Sequence, residues 1–296
     1  MRGKIVFAGL IVALAGTIAS AQDKPQVPSP NDLYCSGTVT TESVPRDTFI
    51  ITGEESNYRL VFNEGDSVYI NKGSAQGVKV GDEFSAIREV KDPGGIEWTK
   101  WQNAILSKMG SVWEDEARVR VTSVRENTSI ATVEHSCDWV QRGDILLPFA
   151  ERPAPPLKSS EGFDRFAPAN GKPLAMVITG KSFQQAAGNE DIIYVNLGGG
   201  QGVKVGDYFR IFRYTGTQHE TVFQMPRYAF DQDDQLAVPP MPIYGFGSVS
   251  MKYNWSNVPR EDIGEGIVLR TGPNSSTVMI TFSLREIYPG DYVEVE

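Results

Sequence analysis

The chain has 296 residues, enough for about two domains, with 22% charged and 40% hydrophobic residues and a net charge of −9. Neither half carries the basic stripe that nucleic acid requires, so nucleic acid is excluded as a partner, and the same deficit argues against docking on anionic lipid. No Cys-x-x-Cys occurs, and His135 beside Cys137 offers two ligands where a zinc site wants about three or four.

The first element is a leader. "MRGK" is a short positive stretch, "IVFAGLIVALAGTI" is an apolar run, and Ala19-Ser20-Ala21 fits a small-x-small cleavage rule. Fourteen helical residues would reach roughly 21 Å, short of a roughly 30 Å hydrocarbon core. Residues 1–21 therefore read as a cleaved signal peptide, with Gln22 as the mature start and no membrane span after cleavage. The expected location is periplasmic or extracellular. Residues 22–32, "QDKPQVPSPND", form a proline-rich tether. Export also gives the cysteines a role: an even count in an oxidising compartment predicts a disulfide between Cys35 and Cys137.

Domain one is expected over 33–148. Its clearest element is "DSVYINKGSAQGVKVGDEF" at 66–84, which returns as "DIIYVNLGGGQGVKVGDYF" at 191–209 with twelve of nineteen positions identical. The glycine-rich centre looks like a phosphate loop, but such a loop opens onto a helix. Here alternating aromatic and β-branched residues follow, which predicts a strand. A doubled motif with that sequel is a structural turn of a repeated β domain, with Gly77, Gly81 and Asp82 in one copy and Gly202, Gly206 and Asp207 in the other. Gly-Asp recurs at Gly65-Asp66, Gly143-Asp144 and Gly290-Asp291, where glycine supplies a positive φ and aspartate bonds nearby backbone.

An insertion at 90–110 carries Trp98 and Trp101. In "ARVRV", Ala117, Val119 and Val121 alternate with Arg118 and Arg120, the period of a half-buried strand. Residues 149–171, rich in proline, form a linker. Domain two, 172–296, repeats the plan with a longer insertion at 213–247 that carries Tyr228 and Phe230. Strands, regular turns and few helical patterns predict an all-β chain: two tandem, related, small β-barrel or sandwich domains with long loop insertions, preceded by the signal peptide.

The pattern "VYINKGSAQGVKVGDEF", its second copy and the "TSIATV…GD" ending resemble the C-terminal β domain of flagellar assembly protein T. They are also similar to the repeated β region of LysM-motif proteins of bacterial envelopes, although the LysM motif itself is not visible. The resemblance covers both domains and implies a non-enzymatic envelope role.

Catalytic motifs are lacking: no G-x-S-x-G, no H-E-x-x-H and no calcium loop occurs. The reading is therefore of a protein with no enzyme activity and no catalytic, cofactor or metal residues. Two classes of function remain. One is an envelope structural or assembly protein that binds an envelope protein partner through Trp98, Trp101, Tyr228 and Phe230, because aromatic anchors concentrate binding energy. The other is a module for peptidoglycan or another polysaccharide that uses Trp98 and Trp101 as a stacking platform. A hydrolase is a more distant third.

Overall fold

The structure, a computed structural model, describes residues 26–92, 94–159, 161–214, 235–236, 251–252 and 259–296. The leader, Gln22, Tyr228 and Phe230 lie outside the described residues.

A short helix α1 (Pro30–Tyr34) opens the described chain, capped by Ser29, which accepts from Asp32 N while the Asp32 carboxylate accepts from Ser29 N. The end of the proline-rich stretch is thus folded, because this reciprocal cap satisfies the first-turn donors. Then follow β1 (Thr38–Thr40), β2 (Ile50–Gly53), β3 (Val61–Phe62), β4 (Ser67–Ile70), β5 (Glu83–Val90), helix α2 (Gln102–Met109), β6 (Ser111–Val124), β7 (Ser129–Ser136), β8 (Val140–Gln141) and β9 (Ile145–Pro148). The second half holds β10 (Leu174–Gly180), β11 (Ile192–Val195), β12 (Tyr208–Arg213), β13 (Gln235–Leu236), β14 (Met251–Lys252), β15 (Glu261–Thr271), β16 (Ser276–Ser283) and β17 (Tyr292–Val295).

The chain is all-β, and its halves share one plan. The second half is a closed barrel in the order β10-β11-β16-β15-β12-β17. The first half runs β2-β4-β7-β6-β5-β9, the same order of equivalent strands, with β1 added against β6. Its two ends meet through a Phe49–Ile145 bridge and bonds such as Gly143 N to Ile50 O (2.8 Å) and Leu146 N to Thr48 O (2.9 Å). Each barrel has its own core, around Phe62, Val119 and Leu146 in one and Phe209, Ile263 and Val293 in the other.

The glycine-rich turns have a specific use. Each makes a single 3-10 turn, Ser74–Gln76 and Gly199–Gln201, closed by Gly77 (φ 87°) and Gly202 (φ 92°). Their N–H groups point at the next hairpin: Ser74 N and Ala75 N donate to Arg125 O and Glu126 O, while Gly199 N and Gly200 N donate to Gly272 O and Pro273 O. These donors are spent on protein carbonyls, so the loop is a clasp and presents no nest for an anion.

The Gly-Asp corners are equally regular. Asp66, Asp82, Asp144, Asp207 and Asp291 each accept from the backbone N–H three residues earlier. The preceding glycines, among them Gly81 (φ 92°) and Gly206 (φ 91°), are left-handed. Asp191 makes the same bond with Gly188 N, but there Glu190 takes the positive φ of 70°.

Candidate functional site

The insertion at 90–110 is part anchor and part display. Its helix α2 begins at Trp101, which is itself left-handed (φ 69°), so the chain turns sharply there. Gln102 secures the turn: its Oε1 accepts from Trp98 N (2.7 Å), and its buried Nε2 donates to Ile178 O of β10 (2.7 Å). Met109 is buried among residues of the second barrel, and Thr99 packs beside Gly290 at that barrel's last corner. Trp101 nevertheless remains 64% exposed and Ile96 59% exposed. Trp98 is half-buried. Among the described residues, no aromatic ring pair includes either tryptophan.

A seam of buried charge runs between the barrels. The segment from Leu33 to Thr40 lies along it: Tyr194, fully buried, donates to Ser36 O (3.1 Å), Thr277 Oγ1 donates to Gly37 O (3.2 Å), and Ser275 Oγ donates to Val39 O. Asp115 on β6 is the hub. It accepts from Gly37 N (2.9 Å), pairs with Arg152 through both oxygens (2.8 and 3.1 Å), and meets Arg270 of β15 (3.2 Å). Burial alone would raise its pKa, but Arg270 and Arg152 together more than offset that and hold it below the usual carboxylate range. A shared apolar cluster flanks the seam, with Leu33, Val39, Met109 and Val112 from one half and Ile178, Tyr194, Ile267 and Leu269 from the other.

Other perturbed carboxylates sit in ion pairs. Asp144 accepts a two-point bond from Arg88 (2.8 and 2.9 Å), and Asp291 accepts the equivalent bond from Arg213 (2.7 Å twice). Glu116 is pushed up to about 8 by burial, which Arg88 opposes. Yet it is sealed inside, 1% exposed, and so offers no proton to a substrate at the surface.

Cys35 and Cys137 form a disulfide, with Cα atoms 5.3 Å apart. It pins α1 to the end of β7, and Cys35 Sγ lies 3.5 Å from His135 Nε2. The three side chains form the cluster of potential metal ligands among the described residues, but the two sulfurs are bonded to one another. Gly77, Gly81, Asp82, Gly202, Gly206 and Asp207 sit in the turns and corners described above.

The seam was missed in the sequence. Glu114, Asp115 and Glu116 are three consecutive acids, all buried, inside a strand with apolar neighbours. That run was the available signal, and it recurs in the second half as Glu261 and Asp262. No protein-family model matches the chain, and no curated protein matches it. Among the described residues, no helix is long and apolar enough to cross a membrane.

Proposed function

We propose that the chain is an exported, non-enzymatic component of the cell envelope that acts by binding a protein partner through its loop insertions. The observation that carries this reading is the double character of 90–110. Gln102 and Met109 fasten the insertion to the second barrel, while Trp101 and Ile96 are left in water. A large aromatic held outward on an anchored turn loses little entropy on binding. The unequal exposure of Trp98 and Trp101 favours a protein contact over a two-ring sugar platform. Export rests on the leader sequence and on the disulfide, which persists in an oxidising compartment.

The test is cross-linked capture from envelope fractions with the mature chain and its Trp101→Ala variant. Truncating a binding anchor typically costs about 2 kcal/mol, roughly thirtyfold in affinity. Capture is expected to fall by that order while the melting temperature stays within about a degree of wild type. Unchanged capture by a folded Trp101→Ala protein overturns the reading. Competition by soluble peptidoglycan fragments would move it to the carbohydrate class.

A further inference from the structure

The seam opens on one side into a cleft of about 360 Å³, within the range of small-ligand pockets and placed between two domains, where such pockets concentrate. Its polar floor is Asp115, Arg152 and Arg270, and Trp113, Ile87 and Leu147 form an apolar wall.

Two observations leave hydrogen-bond donors unanswered at this cleft. Arg270 makes all its bonds to described residues through one nitrogen, Nη1, to Gly37 O and to Asp115. Its Nε and Nη2 donate to no described residue. Independently, Trp113 is 3% exposed and its indole Nε1 has no hydrogen-bond acceptor among the described residues. A buried N–H without an acceptor is costly. The charges point the same way. Two guanidiniums face one carboxylate on the floor, and Glu42, the other ionisable lining residue, is exposed and screened by water. Burial pulls Arg270 below the usual guanidinium range, and Arg152 adds to that while Asp115 opposes it.

We propose that this cleft binds a carboxylate-bearing ligand with a short apolar body, the carboxylate pairing with Arg270 and the body lying against Trp113, Ile87 and Leu147. The unanswered donors of Arg270 call for an acceptor, and a carboxylate offers two oxygens and a negative charge to planar donors. Such a group could be a free carboxylic acid or the C-terminus of a peptide. The site is separate from the Trp101 surface, so its failure leaves that proposal standing.

The test uses the ¹⁵N-labelled mature chain and the Trp113 indole resonance, assigned with Trp113→Phe. Hexanoate is titrated against hexanamide, and acetyl-Val-Leu with a free C-terminus against its amide. At least one acid is expected to shift the indole saturably, with the matching amide at least tenfold weaker. The tighter acid identifies the source. Arg270→Gln is expected to weaken that acid tenfold or more, while Arg152 still pairs Asp115. An equal response to acid and amide, no response to either acid, or full affinity in a folded Arg270→Gln protein overturns the proposal. Should that variant fail to fold, the acid–amide comparison in wild type decides alone.

Discussion

Asp115 and Glu116 are neighbours on β6 with opposite electrostatic fates, at a point where the pairing with β5 slips by one residue and leaves Glu116 without a partner across the ladder. Asp115 turns to the seam and finds two arginines. Glu116 turns the other way and finds Arg88 (3.2 Å), which is already committed to Asp144. With a folded pKa of about 8 against an ordinary 4.5, Glu116 makes the folded chain bind more protons than the unfolded chain between those values. Stability from this group is present below about pH 4.5 and is lost as pH rises through 8. Glu116→Gln should therefore flatten the pH profile of stability and gain at most about 5 kcal/mol at pH 8, measured by urea unfolding at pH 5 and pH 8. Parallel profiles for variant and wild type would refute the assignment. The disulfide makes a second prediction at this scale. It closes a loop with a sequence separation of 102, so replacing both cysteines with alanine should cost about 2–5 kcal/mol. Guanidinium midpoints of the double variant, compared with non-reduced wild type, would check it. The cysteine pairing was legible from the even count and the leader-like start of the sequence. The buried acids were not, because a charged run is usually a solvated face, and only the arginines brought from 152 and 270 reverse that rule.

At the scale of elements, the repeated turn explains which glycines are irreplaceable and why. Gly198 has an ordinary extended φ of −139°, yet a Cβ there would stand 2.3 Å from Ser275 N. Gly202 has open space around it but a φ of 92°. Gly198→Ala should thus cost about 3 kcal/mol through overpacking, and Gly202→Ala about 1 kcal/mol through a left-handed backbone. Thermal melts of the two variants should keep that order; the reverse order would mean the clasp yields more easily than the dihedral. The turn, the alternation of Ala117, Val119 and Val121, and the strand after each Gly-Asp corner could all be read in advance, since each is fixed by residues close in sequence. Helix α2 could not. The residue before it, Trp101, is held left-handed, and the hold of Gln102 on Ile178 spans 76 positions.

For the whole molecule, the barrels are bound by a common apolar cluster and by the Asp115 hub, so their stabilities are coupled. Even the linker is held down: Arg152 reaches Asp115, Phe163 packs on Phe282 at 5.0 Å, and Arg165 pairs with Glu261. Urea unfolding of a Trp255→Phe variant, whose remaining tryptophans (Trp98, Trp101, Trp113 and Trp139) all lie in the first half, followed by tryptophan fluorescence, should coincide with far-ultraviolet dichroism, which reports both halves. Separate midpoints would show that the seam contributes little. The duplication was legible because local pattern repeats at a constant offset. How two repeats sit together was not, because the contacts that decide it, such as Arg270 with Gly37, span 233 positions.

The segment Leu33–Thr40 also sets a timetable. It comes early in the sequence, yet its carbonyls at Gly37 and Val39 are answered by Thr277 and Ser275, 240 and 236 positions later. The disulfide to Cys137 requires only the first half, and each barrel closes with strands of its own. The seam therefore needs both halves in place, and until they meet Leu33, Val39 and Met109 lack the partners that cover them. Contacts so distant in sequence form slowly. A first half without its second would present that apolar face to water, and surface of this kind is what opens a folding chain to aggregation.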